Sequence, residues 1–449
     1  MSSEVETLAI DPSSAEAHHP TRVGNYFVSN YPPFSFWRPD AIDEFLVALQ
    51  RPPQPTTPLG IYLHIPFCRK RCHFCYFRVY TDKDSAAIKG YIAAALRELA
   101  LYARQPVIGE RKPAFIYFGG GTPSYLSEKQ LEHLTSGMKA LLPWDEVEEV
   151  TFECEPGTLT DHKLKAIREL GVTRLSLGVE NFSDHVLAIN GRAHGSKEIQ
   201  RAYGCARELG FPQINIDLIA GMVEETGGNW RDCIRKTIDL SPDSVTIYQM
   251  EIPYNTTIYK EMKSAGRLVA PVADWEQKRD WVGEAFAELE RVGYVVASAY
   301  TAVKDKTKTR FVYRDKLWAG ADLLALGVAS FGHIGGTHYQ NDHDFEPYVN
   351  AVNAGHLPVY RALTPTADER VIREFVLQLK LGSVHAGYFV EKFGVDPRER
   401  FAESLKRICD WGFATIDGPQ IKINREGLLQ ADRLLHEFFL PAHRHARYA

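Results

Sequence analysis

Six short runs rich in β-branched and aromatic residues alternate with longer helix-like segments over the first half of this 449-residue chain. This order is typical of a parallel sheet, because two parallel strands need a long crossover, usually a helix. The predicted strands span residues 61–67, 114–119, 149–154, 174–180, 213–220 and 244–250. The helices predicted between them span residues 86–104, 128–142, 161–170, 197–209 and 229–239. The pattern favours an α/β fold in which the strands form a partial (β/α)6 barrel.

The predicted strands end in polar or glycine-rich residues. The second strand runs into three glycines at 119–121, Glu153 closes the third, Glu180 closes the fourth, and Asp217 lies near the end of the fifth. In βα barrels the carboxyl ends of the strands form the rim that carries the functional residues. A single polar end is ordinary, since strand ends meet water, whereas six in order favour one site assembled from many strands.

The rest of the chain divides by composition and periodicity. We predict an N-terminal extension at residues 1–58, the barrel at 59–255, an accessory α+β region at 256–363 and a C-terminal helical domain at 364–449. The accessory region is expected to hold a helix at 274–292, a strand at 294–300 and a basic loop at 304–310. The C-terminal domain is expected to be winged-helix-like, with helices at 368–381, 399–411 and 426–439 and a hairpin at 415–423.

Charge and cysteine content exclude several classes of protein. Lys and Arg total 52 against 57 Asp and Glu, a net charge of −5, which argues against a broad basic face, so we expect no nucleic-acid partner. No secretory signal and no apolar run of membrane-spanning length is visible, so we expect a cytoplasmic protein without a membrane span. Seven cysteines in this length are too few for a disulfide scaffold.

Three of those cysteines lie within eight residues. Cys68, Cys72 and Cys75 have the spacing Cys-x3-Cys-x2-Cys. A zinc site completed by His64, His73 or a distant histidine is one interpretation. The other is an iron–sulfur cube, which normally takes about four thiolates, so that three would leave one iron open to a small molecule. The intervening basic residues at 69–71 are expected to favour the thiolate form of these cysteines.

With Phe74 before the last cysteine, the loop resembles the motif of the radical S-adenosylmethionine (SAM) superfamily. The preceding residues 61–67 make it similar to the branch that contains oxygen-independent coproporphyrinogen III oxidase. Further segments match that branch in order, at 117–123, 152–156, 174–180, 215–221, 320–327 and 339–341. The resemblance extends over residues 59–440 and implies a radical SAM barrel.

The resemblance implies that Cys68, Cys72 and Cys75 hold a 4Fe–4S cluster whose open iron chelates the amino and carboxylate groups of SAM. It implies contacts to SAM from Tyr62, Gly119, Gly120, Thr122, Glu153, Glu180, Arg192 and Asp217. The glycines are expected to let the backbone approach the methionine end of SAM. The two carboxylates Glu153 and Asp217 are expected to accept hydrogen bonds from the ribose or amino group, and Arg192 to pair with the SAM carboxylate.

The implied chemistry is reductive cleavage of SAM to a 5′-deoxyadenosyl radical that abstracts hydrogen from the substrate. It implies an external reductant such as a flavodoxin or ferredoxin. It also implies a small-molecule substrate, a tetrapyrrole or another planar compound. The same branch contains methyltransferases and cyclopropane-forming enzymes that use two SAM molecules, and haem-binding chaperones, so both remain alternatives. No catalytic residue beyond the cofactor ligands is predicted.

The cluster loop departs from the best-known members of the branch. Phe77 stands where the oxidases carry a further cysteine, and Tyr76 stands where the haem-trafficking relatives have Asp. Aromatic residues that follow the last strand are candidates for stacking on a flat substrate: Tyr248, Tyr254, Tyr259, Tyr300, Tyr313 and Trp318. His338 is a candidate haem ligand, although a structural histidine is the simpler interpretation. The basic residues Arg310, Arg314 and Lys316 are candidates for substrate carboxylates, against the simpler interpretation of a solvated loop.

Overall fold

A central sheet organises the protein. The computed structural model describes residues 24–253, 256–265, 272–444 and 446. Its strands are β1 Leu59–Ile65, β2 Pro113–Gly120, β3 Glu149–Cys154, β4 Arg174–Glu180, β5 Gln213–Ala220, β6 Ser244–Gln249, β7 Val295–Val296, β8 Thr301–Val303, β9 Asp322–Leu326, β10 Phe331–Ile334, β11 Thr337–Asn341, β12 Val359–Leu363, β13 Ser383–His385, β14 Ala414–Asp417 and β15 Gln420–Ile423.

The helices fill the crossovers and build the C-terminal part of the chain. They are α1 Ile42–Leu49, α2 Ser85–Ala103, α3 Glu128–Leu141, α4 Asp161–Glu169, α5 Asp184–Ile189, α6 Ser196–Glu208, α7 Gly227–Leu240, α8 Thr257–Ala265, α9 Trp275–Arg291, α10 Val312–Trp318, α11 Phe345–Asn353, α12 Ala367–Leu379, α13 Ala386–Phe393, α14 Pro397–Arg400, α15 Ala402–Asp410, α16 Arg425–Leu428 and α17 Ala431–Leu435. None of the helices in the described ranges is both long enough and apolar enough to cross a membrane.

The sheet has twelve strands in the order β12-β11-β10-β9-β1-β2-β3-β4-β5-β6-β8-β7. The six predicted strands are β1 to β6, all parallel and all within two residues of the predicted bounds. A seventh parallel strand, β9, pairs with β1 on its free side. The sequence did not reveal it, because its five residues are all buried and show no alternation of polar and apolar positions. With β12 and β7 as its two edges the sheet stays open, in agreement with a partial barrel.

Local sequence signals set the helix ends. The side chain of Ser127 accepts from the backbone of Gln130, whose own side chain accepts from the Ser127 backbone, so a capping box opens α3. Thr160 caps α4 by accepting from the Lys163 amide, and Gly171 follows that helix at a φ of +96°.

Three predicted elements of the second half are corrected. The strand expected at 294–300 is reduced to β7, because the chain turns and its Ala297 amide donates to the Thr301 carbonyl. The helix expected at 399–411 breaks at Phe401, whose ring packs on Phe375 at 4.5 Å, so α14 and α15 are separate. The helix expected at 426–439 is divided into α16, α17 and a short 3₁₀ turn. The expected hairpin is present as β14 and β15, joined by β13 as a third strand.

The apolar core of the sheet is continuous from Ala41 in the N-terminal extension through the barrel to Ala362 on β12, and a second apolar cluster fills the C-terminal domain. The boundary predicted between residues 255 and 256 stays a prediction. Residues 1–23 of the predicted extension lie outside the described residues. From residue 24 the extension contacts the body of the protein: Arg38 bridges Ala362 on β12, and Val28 and Tyr31 lie in the C-terminal cluster.

A buried ion pair fixes the extension to the C-terminal domain. Lys380 Nζ lies 3.1 Å from Asp432 Oδ1, and both side chains are at most 1% exposed. The Val28 carbonyl accepts from Lys380 Nζ at 2.7 Å, and the Val28 amide donates to Asp432 at 2.8 Å. Tyr300 also donates to Asp432. Burial lowers the pKa of Lys380, and the neighbouring Asp432 opposes that shift.

Replacing Lys380 with Met is expected to lower the free energy of unfolding by about 3–5 kcal/mol, because it leaves the Asp432 carboxylate buried without its cation. Urea denaturation followed by circular dichroism measures the loss. The double variant Lys380→Met/Asp432→Leu is expected to recover part of it, since no charge then remains buried.

Lys406→Ala is the matched control, because Lys406 forms an exposed ion pair with Asp410 within one helix. It is expected to change the free energy of unfolding by less than about 1 kcal/mol. If Lys380→Met cost no more than this control, the buried pair would not be what holds the extension.

Candidate functional site

The cysteine loop lies at the carboxyl end of β1, between its two parallel neighbours β2 and β9. The loop closes on itself, because the Cys68 amide donates to the Tyr80 carbonyl at 3.0 Å and the Tyr80 amide donates to Pro66 at 2.7 Å. Its middle is held by the turn after α5, where the Asn190 carbonyl accepts from the His73 amide at 3.0 Å. The parallel sheet and one neighbouring crossover therefore fix both ends and the centre of the loop.

Cys68 contacts the glycine-rich end of β2. The hydroxyl of Thr122 donates to Cys68 Sγ at 3.3 Å. A Cβ atom at Gly121 would lie 2.9 Å from the Ile65 carbonyl and 3.1 Å from Cys68 Sγ. At Gly120 the backbone has a φ of +110°, and a Cβ atom would lie 2.5 Å from the His64 ring. These two glycines therefore make room for the protein's own cysteine loop and histidine.

Cys72 contacts Arg192. Arg192 Nη1 donates to Cys72 Sγ at 3.3 Å, and Nη2 donates to the Gly178 carbonyl on β4 at 2.6 Å. Arg192 Nη1 also lies 3.6 Å from the carboxylate of Glu180. The Nε atom of Arg192 is buried and has no hydrogen-bond partner within the described ranges of the chain. A buried N–H donor without a partner is costly, so this position suits an acceptor that the protein does not provide.

The protein by itself disfavours the thiolate forms of Cys68 and Cys75. Burial raises the pKa of Cys68 to about 11 and that of Cys75 to about 12. Of the three basic loop residues, Arg71 lowers the pKa of Cys75 as expected, but burial outweighs its charge. Arg69 and Lys70 are exposed, and Arg69 donates to the Ala193 carbonyl instead. Deprotonation therefore needs a bound cationic group.

The alternative of a single zinc ion is not supported by the geometry. A tetrahedral ion at about 2.3 Å from each sulfur would draw the thiols to within about 4 Å of one another. In the part of the chain that the structure describes, one set of three His, Cys, Asp or Glu ligand atoms lies mutually within 4.8 Å, namely Asp342, His343 and Asp344. His64 is already engaged, with Nδ1 at 3.2 Å from the Tyr62 hydroxyl and Nε2 at 3.4 Å from the Arg78 carbonyl. Three separated thiols suit a polynuclear cluster better than one ion.

Glu153 lies beside the glycine end of β2. Its two oxygens accept from the Tyr117 hydroxyl at 2.5 Å and from the Gly120 amide at 3.1 Å. Burial raises the pKa of Glu153 to about 7, and the charge of Asp217 contributes in the same direction. A Cβ atom at Gly119 would lie 3.1 Å from the Glu153 carboxylate, so these two predicted SAM-contacting residues are neighbours.

Asp217 and Glu180 complete the row of rim carboxyls. Asp217 accepts from Ser176 at 2.8 Å and from Asn215 at 2.9 Å, and burial raises its pKa. Glu180 has a φ of +63°, which is unusual for a residue with a side chain, and burial raises its pKa to about 7. The ladder between β4 and β5 is irregular at this point. Strained backbone of this kind is concentrated at functional sites.

Tyr62 faces the same interior from β1. Its ring stacks on Tyr117 with ring centres 5.8 Å apart, and burial raises the pKa of its hydroxyl. The structure thus brings the predicted residues of β1 to β5 together with Arg192 at one end of the barrel.

Two groups were missed. Glu155 accepts from the His194 ring at 3.0 Å, and Arg69 lies 4.0 Å from the same carboxylate, so this cluster supports the loop between Cys68 and Arg192. The second group is the exposed aromatic pair Tyr76 and Phe77, which are 39% and 46% exposed with ring centres 4.6 Å apart. Glu155 lies in residues 152–156, one of the segments that match the oxidase branch, and that match is a sequence signal for it. His194 has no such signal, because only the fold brings it to Glu155.

The residues predicted to stack on a substrate, to ligate haem or to bind substrate carboxylates lie in different surroundings. Tyr248 is 40% exposed and stacks on Tyr300 at 6.1 Å, whereas Tyr254 lies outside the described residues. His338 is fully buried on β11, with its ring stacked on Trp37 at 5.1 Å and Nδ1 at 3.1 Å from His333. These contacts describe a packed structural histidine. Lys316 forms an ion pair with Glu148 at 2.7 Å.

Comparisons with known proteins place a radical SAM domain on the strands that carry these residues. The family model described as Radical SAM superfamily matches residues 62–236. The chain is 28% identical over 379 residues to a Bacillus subtilis protein named heme chaperone HemW, covering 84% of this chain and 98% of that protein. It is 27% identical over 406 residues to oxygen-independent coproporphyrinogen III oxidase of Pseudomonas aeruginosa, covering 87% of this chain and 88% of that protein.

The fold also matches a solved structure. Coproporphyrinogen III oxidase (HemN) from Escherichia coli superimposes with a TM-score of 0.80 at 24% identity, covering 92% of this chain and 96% of that chain. The predicted fold class is confirmed. The expected cofactors, a 4Fe–4S cluster and SAM, are those that the matched superfamily uses. Residues 62–236 thus form a radical SAM domain, and the chain as a whole is similar to oxygen-independent coproporphyrinogen III oxidases.

Proposed function

We propose that Cys68, Cys72 and Cys75 ligate the 4Fe–4S cluster and that the rim residues around Arg192 bind SAM. Arg192 carries the proposal, because its guanidinium touches Cys72 Sγ and still has a buried Nε–H without an acceptor. A SAM carboxylate beside the cluster would supply that acceptor and pair with the charge. Tyr62, Gly119, Gly120, Thr122, Glu153, Glu180 and Asp217 complete the proposed SAM contacts.

Each group has a distinct task in this proposal. When bound, the cluster and SAM supply one-electron cleavage of SAM and hydrogen abstraction from the substrate, with electrons from a flavodoxin- or ferredoxin-type partner. Thr122 hydrogen-bonds the Cys68 sulfur, and Arg192 hydrogen-bonds the Cys72 sulfur. Glu153 and Asp217 are held by neighbouring donors, so their remaining lone pairs are oriented for ribose or amino groups.

We infer that the substrate is a tetrapyrrole or another planar compound. The support is the exposed pair Tyr76 and Phe77 on the cluster loop and the stacked Tyr248 and Tyr300. Aromatic faces of this kind favour stacking on a flat molecule. The relatives named for coproporphyrinogen oxidation and for haem support the same class.

A haem-binding carrier is the second candidate, because the Bacillus subtilis relative named as a heme chaperone aligns over nearly its whole length. An anaerobic assay with coproporphyrinogen III, SAM and dithionite distinguishes the oxidase from the haem-binding carrier. Decarboxylated product with 5′-deoxyadenosine supports the oxidase, and stoichiometric haem binding without turnover of any porphyrinogen supports the carrier. Labelled methyl groups in the product would instead select methyl transfer and overturn both.

Replacing Cys68, Cys72 or Cys75 with Ala is expected to abolish reconstitution of the cluster and release of 5′-deoxyadenosine. Iron and sulfide per chain, visible absorbance and chromatography of the nucleoside measure the loss. Thr122→Val is expected to lower activity by about 10- to 100-fold, because it removes a hydrogen bond to a ligand sulfur.

Cys205→Ala is the matched control, because Cys205 is half-buried on α6 away from the loop. It is expected to retain the cluster and full SAM cleavage. Normal iron content and cleavage in the Cys72→Ala variant would contradict the assignment of the ligands.

Arg192→Gln is expected to weaken SAM binding by about 10- to 150-fold, the loss that follows from removing hydrogen bonds to a charged group worth about 1.5–3 kcal/mol. Equilibrium dialysis with labelled SAM measures the affinity independently of turnover. Arg201→Gln is the control, because Arg201 pairs with Asp161 and its side chain is 44% exposed. Equal SAM affinity in both variants would remove Arg192 from the site.

A further inference from the structure

A cavity lies at the opposite end of the barrel from the cysteines. It has a volume of about 300 Å³ and opens beside Arg174 and Ser244, the first residues of β4 and β6. The other side is formed by residues 306–315, which run from the basic loop into α10. Its charged lining consists of four cations and one acid, namely Arg174, Lys306, Arg310, Arg314 and Asp315. The cavity is therefore strongly cationic in a chain of net charge −5.

Arg174 is the deepest of these cations. The residue is 2% exposed, and the Phe311 ring covers one face of its guanidinium at 4.0 Å. Among the described residues, none forms a hydrogen bond or an ion pair with that guanidinium, and the Phe311 ring is its contact. Burial of a charged group without a partner costs several kcal/mol, and a guanidinium offers five N–H donors. A buried arginine with free donors that lines a cavity is suited to an anion that enters the cavity.

Arg314 shares the same aromatic ring. Its guanidinium lies 5.7 Å from the centre of Phe311, and its Nε and Nη2 atoms bind Asp315 Oδ1 at 2.8 and 2.7 Å. Its Nη1 atom is buried, and no residue that the structure describes accepts a hydrogen bond from it. Asp315 thus pairs with the guanidinium of Arg314, whereas the guanidinium of Arg174 has no close counter-ion among the described residues.

The nearby carboxyls are committed elsewhere. Glu149 accepts from the amides of Val312 and Tyr313 and from the Thr151 hydroxyl. Glu153 and Asp217 lie further along the barrel and are beyond ion-pair distance of Arg174, although its charge opposes the burial that raises their pKa values. None of these groups therefore neutralises Arg174 within the cavity.

We propose that this cavity is an oxyanion site in which Arg174 and Arg314 bind a carboxylate or phosphate group. β4 separates it from the SAM end of the barrel, since six residue steps from Arg174 to Glu180 span about 20 Å. Arginine is the residue suited to bidentate recognition of either group. The volume is at the small end of ligand pockets, so the site takes a small oxyanion or one acidic arm of a larger molecule. Binding of an acidic arm of a larger molecule rests on the proposed function, whereas binding of a free small oxyanion does not.

Isothermal titration calorimetry on the full chain tests the site, with inorganic phosphate and succinate as probes in a low-salt buffer that contains no other oxyanion. We expect saturable binding that weakens with added chloride. Arg174→Gln and Arg314→Gln are each expected to weaken it by about 10-fold or more. Lys308→Ala is the matched control, because this side chain is 84% exposed in the same basic loop and does not line the cavity.

A second measurement covers the case in which Arg174→Gln does not fold. Labelling of wild-type arginines with phenylglyoxal, read by peptide mass spectrometry, is expected to be slower at Arg314 in the presence of saturating phosphate. The absence of saturable binding for both probes would overturn the proposal, and so would unchanged affinity in Arg314→Gln with its native circular dichroism spectrum.

Competition identifies the source of the oxyanion. If coproporphyrin III displaces succinate, the site binds a propionate arm of the larger molecule. If coproporphyrin III leaves phosphate binding unchanged, the site binds a free oxyanion. The proposed function is tested separately, because Cys68→Ala is expected to abolish SAM cleavage and to retain phosphate binding. Loss of one property without the other therefore shows which proposal has failed.

Discussion

The parallel alignment of β1 with β2 and β9 is the constraint on which the functional site depends. Because parallel strands end at the same edge, the cysteine loop after β1 faces the glycines after β2 and the carboxyls of β3 to β5. The loop has few helical or sheet contacts of its own, so its shape is set by hydrogen bonds to Tyr80 and Asn190. The sheet thus positions the chemistry, and short polar contacts fix its details.

The three buried cations Lys380, Arg192 and Arg174 differ in how fully their hydrogen-bond donors are paired. Between Lys380 and Asp432 both charges are present and the surrounding donors and acceptors are satisfied, which is a structural arrangement. At Arg192 the charge is shared among a sulfur, a carbonyl and a carboxylate, and one donor stays free. At Arg174 no described partner is close. This gradation separates cations that hold the fold from cations that are available for a ligand.

The two ends of the barrel therefore differ in chemistry. The carboxyl end combines three thiols, three buried carboxyls and one arginine, a set suited to a metal cluster and a zwitterionic nucleoside. The amino end combines arginines, a lysine and hydroxyl groups around an aromatic ring, a set suited to oxyanions. Tyr117 connects them, since it donates to Glu153 and its ring lies 6.3 Å from Phe311.

The sequence by itself determined the α/β class, the six strands from β1 to β6 and the polar residues at their carboxyl ends, because these depend on local periodicity. It did not reveal β9, whose uniform burial erases the alternation, or the breaks at Phe401 and near Gln430, where packing overrides helical propensity. Only the tertiary structure decided that Arg192 meets Cys72 across 120 residues and that Glu180 adopts a positive φ. It also decided that Arg174 is buried against Phe311 without an ion-pair partner among the described residues. Such facts depend on distances between elements remote in the chain, and local patterns carry no information about those distances.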